Sequence, residues 1–121
     1  MARLKFRPAS PSIKVDEYGT VKYYNEKGQL HREDGPAVIH TNGYEEWYQN
    51  NKLHRLDGPA LTYIDGTKEW HLNGFLHRLD GPAIERTDGR KEWWVNGELV
   101  GKSLEGFTAK DFERWKKKYR L

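Results

Sequence analysis

The sequence contains no cysteine and no long apolar run. The absence of cysteine excludes disulfide bonds and cysteine-ligated zinc sites, and it suits a reducing compartment. No apolar stretch approaches the ~18 residues of a membrane-spanning helix, and the N-terminus lacks the apolar region of a signal peptide. We therefore expect a cytoplasmic protein with no membrane span.

Charged and aromatic side chains are abundant instead. Of 121 residues, 32% are charged, and the chain has five Trp and seven Tyr. The net charge of +3 is unevenly distributed, because residues 1–14 and 108–121 carry +4 each, which leaves −5 on residues 15–107. This sign disfavours a nucleic-acid surface on the central part of the chain and leaves the basic ends open to one.

A heptapeptide, His-Arg-x-Asp-Gly-Pro-Ala, occurs three times, at residues 31–37, 54–60 and 77–83. The period is 23 residues in both steps, and Trp47, Trp70 and Trp93 follow the same spacing. A constant period of this length indicates a repeat architecture, in which each unit is too small to bury its own core and depends on its neighbours.

The repeats predict the fold class and the domain organisation. We expect a mainly β protein, a repeat solenoid built as a single-layer antiparallel meander of 23-residue hairpin units. Residues 1–15 are predicted to form a basic arm, extended or poorly ordered, with a strand or a partner-binding segment as the alternative. Residues 16–102 are predicted to form three to four repeats.

Residues 103–121 are predicted to form a C-terminal α-helix that caps the open edge of the sheet. Thr108 and Asp111 have the spacing of a capping box at its start. Phe112, Trp115 and Tyr119 follow as one apolar stripe.

Turn residues recur at two phases of the repeat. One set comprises Asn42-Gly43, Asp65-Gly66 and Asp88-Gly89, and the other comprises Asn73-Gly74, Asn96-Gly97 and the matching pair Asn50-Asn51. Both sets suit type I′ turns, whose two central residues need φ > 0. Segments between them, such as residues 67–72, have a normal strand length. In the first unit, Tyr23 takes the place of the tryptophan if the loop that follows is one residue longer.

Side chains alternate along a strand, so the sequence predicts two aromatic rows on opposite faces. Tyr23, Trp47, Trp70 and Trp93 are predicted to form a packing spine. The second row is the candidate partner-binding surface and comprises Tyr24, Tyr48, His71 and Trp94 beside Glu46, Glu69 and Glu92. A small-ligand site, such as a nucleotide site around Tyr48, His71 and Trp94, is an alternative interpretation of the same row.

The repeated His, Arg and Asp residues invite a metal or catalytic interpretation. Successive copies lie about 10 Å apart at ~4.8 Å per strand, too far to share one zinc ion with ligands at ~2–2.2 Å. We therefore predict no cofactor, no metal and no enzymatic activity, and a structural ladder in which His and Arg contact the Asp of the same or the adjacent copy. Its members are His31, Arg32, Asp34, His54, Arg55, Asp57, His77, Arg78 and Asp80.

The unit at residues 47–66 combines an aromatic strand, an Asn turn, a His-containing connector and an Asp-Gly turn, and it resembles a MORN-type repeat. The His-Arg-x-Asp-Gly-Pro-Ala variant more closely resembles repeats in small bacteriophage and bacterial proteins. The resemblance covers residues 19–101 and departs from the usual MORN unit in the connector proline and in lacking a Gly after the His. It implies a scaffold or binding module without catalytic residues, located in the bacterial host cytoplasm if phage-encoded.

These observations lead to three functional hypotheses. The first is a non-enzymatic protein-binding repeat module, for instance a phage-type accessory protein that binds and inhibits a bacterial defence or host enzyme. The second is nucleic-acid or anionic-membrane binding through the basic ends, with Lys116, Lys117, Lys118 and Arg120 as candidate anion-binding residues. The third is the small-ligand site. An exposed aromatic face also favours a homodimer.

Overall fold

The computed structural model describes residues 11–121. Within them, the strands are β1 Ser12–Val15, β2 Val21–Tyr24, β3 Val38–Ile39, β4 Glu45–Glu46, β5 Tyr48–Gln49, β6 Lys52–Leu53, β7 Leu61–Thr62, β8 Lys68–Glu69, β9 His71–Leu72, β10 Phe75–Leu76, β11 Ile84–Glu85, β12 Lys91–Val95 and β13 Glu98–Lys102. Residues 11–121 also contain a 3₁₀ turn, Ser103–Glu105, and one helix, α1 Ala109–Tyr119. The protein is mainly β with a C-terminal helix, as predicted.

Nine strands form one antiparallel sheet in the order β1-β2-β3-β4-β7-β8-β11-β12-β13. The pairs β5–β6 and β9–β10 are separate two-stranded hairpins. Each 23-residue repeat therefore contributes two strands to the sheet and one short hairpin beside it. The heptapeptides connect each hairpin to the next sheet strand, and we call them connectors.

The six-residue strand predicted at residues 67–72 is interrupted at Trp70. The N–H of Trp70 donates to the carbonyl of Ala83, in the next connector, at 2.8 Å, whereas its carbonyl accepts from His77 at 3.0 Å. The chain changes pairing partner at this residue, from the sheet to the hairpin. Trp47 makes the equivalent bonds to Ala60 and His54. In the last unit the two halves stay in one strand pair, with a register shift between Trp93 and Trp94.

The turn predictions are right for one set and wrong for the other. Asn73 and Gly74 have φ of 51° and 86°, as a type I′ hairpin turn requires, and the equivalent pairs in the neighbouring hairpins also have positive φ. In the other set only the glycine has positive φ. There the turn closes from Gly66 N–H to the Tyr63 carbonyl, and the Asp65 carboxylate accepts the N–H of Thr67. The aspartate thus stabilises the turn through its side chain and needs no left-handed backbone.

Part of the predicted basic arm is a strand. Residues 12–15 form β1, which pairs with β2 from Ser12 opposite Tyr24 to Val15 opposite Val21. Residues 1–10 lie outside the described residues. All four side chains of β1 are exposed, so this edge of the sheet has no apolar cover among residues 11–121.

Small residues fill the interior of the sheet. Ala37, Ala60 and Ala83 are fully buried, and each is followed by a buried aliphatic residue. The larger apolar cluster lies at the C-terminal end, where Trp93, Val95 and Phe112 are buried together. In the repeats the core consists of one alanine and one aliphatic side chain per unit, and large aromatic side chains join it beside α1.

Helix α1 begins as predicted. The Thr108 side chain accepts from the Asp111 N–H, and the Asp111 carboxylate accepts from the Thr108 N–H, which completes the capping box. Phe112 and Trp115 of the helix pack with Trp93 and Val95 of β12 and with Val100 of β13, the last strand at that end of the sheet. In residues 11–121 no helix is long and apolar enough to cross a membrane.

Candidate functional site

The arginine of each connector holds the bend of its own copy. Its Nε donates to the Asp two residues later at 3.2, 3.1 and 2.9 Å in the three copies, and its Nη1 donates to the carbonyl of the following Pro at 3.2, 3.2 and 3.1 Å. The Arg–Asp part of the predicted ladder is therefore present within each copy. It closes single bends and does not link neighbouring ones.

The same arginines lie flat on the aromatic column. The guanidinium carbons of Arg55 and Arg78 stand 3.8 Å from the ring centroids of Trp47 and Trp70. Arg32 stands 4.0 Å from the ring of Tyr23, which confirms that Tyr23 occupies the tryptophan position in the first unit. At Tyr23, Trp47 and Trp70 the column is thus a set of separate Arg–aromatic stacks, not the continuous packing spine that the alternation predicts.

The connector histidines link one repeat to the next through the backbone. Nδ1 of His31, His54 and His77 accepts an N–H from the turn of the following hairpin, 19 residues later, at 3.1, 3.0 and 2.9 Å. The predicted contact of His with Asp is therefore wrong, because the imidazole serves the otherwise unpaired N–H of a type I′ turn. Accepting at Nδ1 places the proton of the neutral ring on Nε2.

Between successive connectors the surface is grooved. The first groove, of about 710 Å³, lies between residues 11–13 and the first connector. The second, of about 350 Å³, lies between the first and second connectors, and the third, of about 530 Å³, between the second and third. Each is lined by the Tyr23, Trp47 or Trp70 ring of its repeat and by the histidine that follows it. We call this series the connector grooves.

The rims of the connector grooves combine apolar and acidic groups. Leu56 is 82% exposed and lines both the second and third grooves, and Leu79 is 38% exposed in the third. The side chains of Asp34, Asp57 and Asp80 are 91%, 84% and 86% exposed although each accepts from an arginine. The surface therefore repeats one aromatic ring, one imidazole and one carboxylate in every unit.

The second aromatic row is engaged inside the molecule. Glu46 accepts from the hydroxyl of Tyr48, Glu69 is paired with His71 Nε2 and Glu92 accepts from Trp94 Nε1, at 2.8, 3.0 and 3.0 Å. The glutamate side chains are only 16%, 18% and 15% exposed. His71 is buried, and Tyr24 is half-buried at the β1–β2 pair. Tyr48, His71 and Trp94 therefore belong to a structural hydrogen-bond network, which corrects their interpretation as an exposed contact surface.

A third column, which the sequence analysis missed, completes this network. His40, Tyr63 and Arg86 are spaced by 23 residues, and each contacts the glutamate six positions later at 2.9–3.0 Å. The three side chains differ in type, so identity of residues could not reveal the column, although the spacing could. Each glutamate therefore has two polar partners.

The network shifts the pKa values of its members. The hydrogen bond from His71, followed by that from Tyr63, lowers the pKa of Glu69 despite its burial. Burial and the adjacent Glu69 charge raise the pKa of Tyr63 to about 12. Burial and the hydrogen bond to Glu46 likewise raise the pKa of Tyr48. The shifts favour an ionised Glu69 and protonated Tyr63 and Tyr48, the forms that make these hydrogen bonds.

The candidate anion-binding residues are not equivalent. Lys116 has a side chain only 15% exposed, and its Nζ donates to the carbonyl of Leu79 at 2.6 Å and pairs with Glu113 at 2.9 Å. It thus joins α1 to the third connector. Arg120 closes the helix with φ of 59°, and the side chains of Lys117 and Lys118 are exposed. The basic cluster is smaller by one charge than the sequence predicts.

Within residues 11–121, no group of three or more His, Asp and Glu side chains is placed to hold a metal ion. No family model, no curated protein and no solved structure matches the chain. The connector grooves are therefore interpreted from their own geometry.

Proposed function

We propose that this chain is a non-enzymatic protein-binding repeat module and that its partner binds in the connector grooves. The observation that carries the proposal is the repetition of one groove lining in three successive units. Leu56 is a large apolar side chain shared by two of these grooves, and it is 82% exposed. Exposed apolar side chains beside aromatic and arginine groups are typical of protein interfaces.

The repeated hydrogen bonds support a rigid surface. Each connector has its Arg–Asp bond, its Arg–Pro carbonyl bond and its His bond to the next turn, with distances that agree within 0.3 Å between copies. A surface that is already ordered loses little conformational entropy on binding. We infer a MORN-like repeat solenoid, in which the connectors present the binding side.

The resemblance of the connector to repeats in bacteriophage and bacterial proteins suggests the setting of this activity. We propose a phage-type accessory protein that binds and inhibits a bacterial defence or host enzyme in the cytoplasm. The acidic central part of the chain, −5 over residues 15–107, favours a target with a basic surface.

The two alternative functions receive less support. Lys116 donates to the Leu79 carbonyl and is therefore not free to bind an anion. Nucleic acid or an anionic membrane would meet a basic cluster with one charge fewer. A nucleotide site around Tyr48, His71 and Trp94 would have to break three hydrogen bonds to glutamates. A homodimer through this row meets the same obstacle.

The test compares two exposed apolar positions. Leu56→Glu places a charge in the connector grooves, and Ile64→Glu places one at a position 68% exposed that lines none of these three grooves. Both residues are exposed, so both variants should melt within about 2 °C of the parent chain. The tagged parent chain and both variants would be incubated with bacterial lysate, and captured proteins would be identified by mass spectrometry.

We expect a partner that the parent chain and the Ile64→Glu variant retain and the Leu56→Glu variant loses. Recovery of the same partner by all three chains would place binding elsewhere on the molecule. Recovery of no protein would remove the proposed function.

A further inference from the structure

The period of the connector grooves sets a requirement on the shape of the ligand. Each repeat contributes two strands to the sheet, so equivalent groups in neighbouring repeats lie about 9.6 Å apart at ~4.8 Å per strand. A ligand that uses successive grooves must present the same kind of group at this interval. The interval distinguishes among the regular conformations of a peptide.

A polyproline II helix matches this interval. It has three residues per turn and a rise of ~3.1 Å, so every third side chain points the same way about 9.3 Å further along. A β-strand advances ~10 Å in three residues but turns the third side chain to the opposite face. An α-helix needs seven residues and ~10.5 Å to return to one face, and it is ~10–12 Å wide. Of the three, the polyproline II helix matches the period most closely, and it does so with one side chain in every three residues.

The grooves also supply what a polyproline II backbone lacks. Such a helix has no internal hydrogen bonds, so its carbonyl groups need donors from the partner. Because Nδ1 accepts a hydrogen bond, Nε2 of neutral His54 and His77 carries the proton, and it has no acceptor among residues 11–121. Each of these histidines lines a groove beside a tryptophan, Trp47 or Trp70. The two grooves thus offer a donor beside an aromatic wall, the arrangement by which proline-rich segments are recognised.

The acidic rim adds a requirement on charge. Asp34, Asp57 and Asp80 recur once per repeat, and their side chains are 91%, 84% and 86% exposed. On a polyproline II helix, a second row of side chains recurs at the same three-residue interval as the first. One row can therefore lie in the grooves while the other meets the carboxylates.

We propose that the connector grooves bind a segment in polyproline II conformation that has proline or an apolar residue at every third position and lysine or arginine in a second three-residue register. This inference rests on the proposed function and names its partner class. The chain's own residues 7–11, Arg-Pro-Ala-Ser-Pro, have the same spacing of prolines, so this segment in a second copy is an alternative occupant that the test must separate.

The test uses the full-length chain and synthetic peptides of about twelve residues. The first repeats Pro-Ala-Lys, the second has the same composition with all positions shuffled so that neither proline nor lysine recurs at every third residue, and the third repeats Pro-Ala-Glu. A fourth, helix-forming peptide has leucines seven residues apart. Affinity would be measured by calorimetry, and the site of binding by the indole NMR signals, since Trp47 and Trp70 line the grooves and Trp93 is 3% exposed.

We expect the Pro-Ala-Lys peptide to bind at least about tenfold more tightly than the shuffled and glutamate peptides, and to shift the indole signals of Trp47 and Trp70 but not of Trp93. Leu56→Glu should weaken binding more than tenfold and Ile64→Glu should leave it unchanged. Asp57→Asn retains an acceptor for Arg55 but removes the charge, and it should weaken binding about threefold.

Several outcomes would overturn the inference. Equal binding of the ordered and shuffled peptides would remove the three-residue register, and tighter binding of the helix-forming peptide would replace the polyproline II segment by a helix. Self-association by sedimentation, abolished by Pro8→Ala, would assign the grooves to a second copy. If no peptide binds while capture of a lysate partner still depends on Leu56, the proposed function stands and this inference falls.

Discussion

The tryptophan column is covered in two different ways, in the interior repeats and at the C-terminal end. Trp47 and Trp70 are half-buried, and each lies under the guanidinium of an arginine from its own repeat. Trp93 is 3% exposed and packs edge-on against Phe107, whose ring centroid is 5.3 Å away. Equivalent residues of one repeat thus have a polar cover in the middle of the chain and an apolar cover at its end.

The difference arises where the connector stops repeating. The position of the connector arginine is Gly101 in the last unit, and a Cβ there would lie 2.2 Å from the ring of Phe107. Because Gly101 has no side chain, Phe107 takes the place that the arginine occupies in earlier units. In the interior the arginine covers the ring and the connector leads on to the next repeat. At the C-terminal end Phe107 and α1 cover the ring with an apolar cluster, and the array of repeats ends there.

The largest effect is expected from Phe112→Ala in the closing cluster. Phe112 is 1% exposed, and truncation of a buried phenylalanine costs about 3–5 kcal/mol of unfolding free energy. Urea unfolding followed by circular dichroism would measure it. Leu104→Ala, at a position 72% exposed, is the control and should change the free energy by less than about 0.5 kcal/mol. Equal losses in the two variants would show that the cluster does not anchor the fold.

A pair of glycine substitutions tests the two covers directly. In Gly101→Ala the new methyl group displaces the Phe107 ring from Trp93. Because a packed ring cannot move aside freely, the free energy of unfolding should fall by about 1–3 kcal/mol. Gly58→Ala meets only the guanidinium of Arg55, at 2.7 Å, which is the end of a flexible side chain. It should lower the free energy of unfolding by about 1 kcal/mol, because the displaced guanidinium leaves Trp47 and weakens its bonds to Asp57 and the Pro59 carbonyl. Thermal melting of the two variants would measure the difference, and a larger loss for Gly58→Ala would reverse the comparison.

Arg55→Lys, in an interior repeat, should lower the free energy of unfolding by about 1 kcal/mol. Lysine keeps the charge but lacks the planar fork that donates to Asp57 and to the Pro59 carbonyl while lying on Trp47. Near-ultraviolet circular dichroism should report the altered tryptophan environment. The matched control is Arg90→Lys, whose side chain is 53% exposed and should leave stability nearly unchanged. Equal melting of the two variants would show that the fork does not stabilise the connector.

The smallest effect concerns the histidine links between repeats. Burial lowers the pKa of His77 below its ordinary value of 6.5. The neutral ring is therefore favoured on folding, so its contribution to stability is complete above pH 6.5 and is lost as the pH falls through the lowered folded pKa. Protonation of Nδ1 would also abolish its hydrogen bond with the Asn96 N–H.

Urea unfolding between about pH 8 and about pH 5 should therefore show stability that decreases towards acid. Glutamine does not titrate in this range. His77→Gln should therefore remove the contribution of His77 to the change of unfolding free energy with pH and make that dependence less steep. An unchanged slope in the variant would show that the histidine link carries no pH dependence.

Several features of the fold could be predicted because they depend on residues close in sequence. The capping box needs only Thr108 and Asp111, and the type I′ turns need only two residues with positive φ. The interruption at Trp70 could not be predicted, because it depends on a change of pairing partner between Ala83 and His77. The Asp-Gly pair at residues 65–66 predicts a type I′ turn. The same pair also occurs in other turn types, and sequence alone does not choose between them.

The candidate site shows the same division. The repetition predicts that the connectors form a structural ladder in which arginine contacts Asp, and it does not reveal that Arg55 and Arg78 also stack on tryptophan rings. The sequence predicts that the glutamates of the second row face a partner. In the structure Glu46 accepts from Tyr48 and Glu69 accepts from Tyr63, so both carboxylates have partners within the chain. Charge and alternation in a sequence do not reveal whether a polar group already has a partner.

The sequence by itself determined the 23-residue period, the mainly β class with a C-terminal helix, and the equivalence of positions such as Tyr23 and Trp47. Only the tertiary structure decided which side chains are satisfied internally and which remain exposed. The reason is that a period fixes which residues are equivalent, whereas contacts between units depend on strand register and on where each strand changes partner. His54 meets the N–H of Asn73, 19 residues away, because the hairpin leaves the sheet at Trp70.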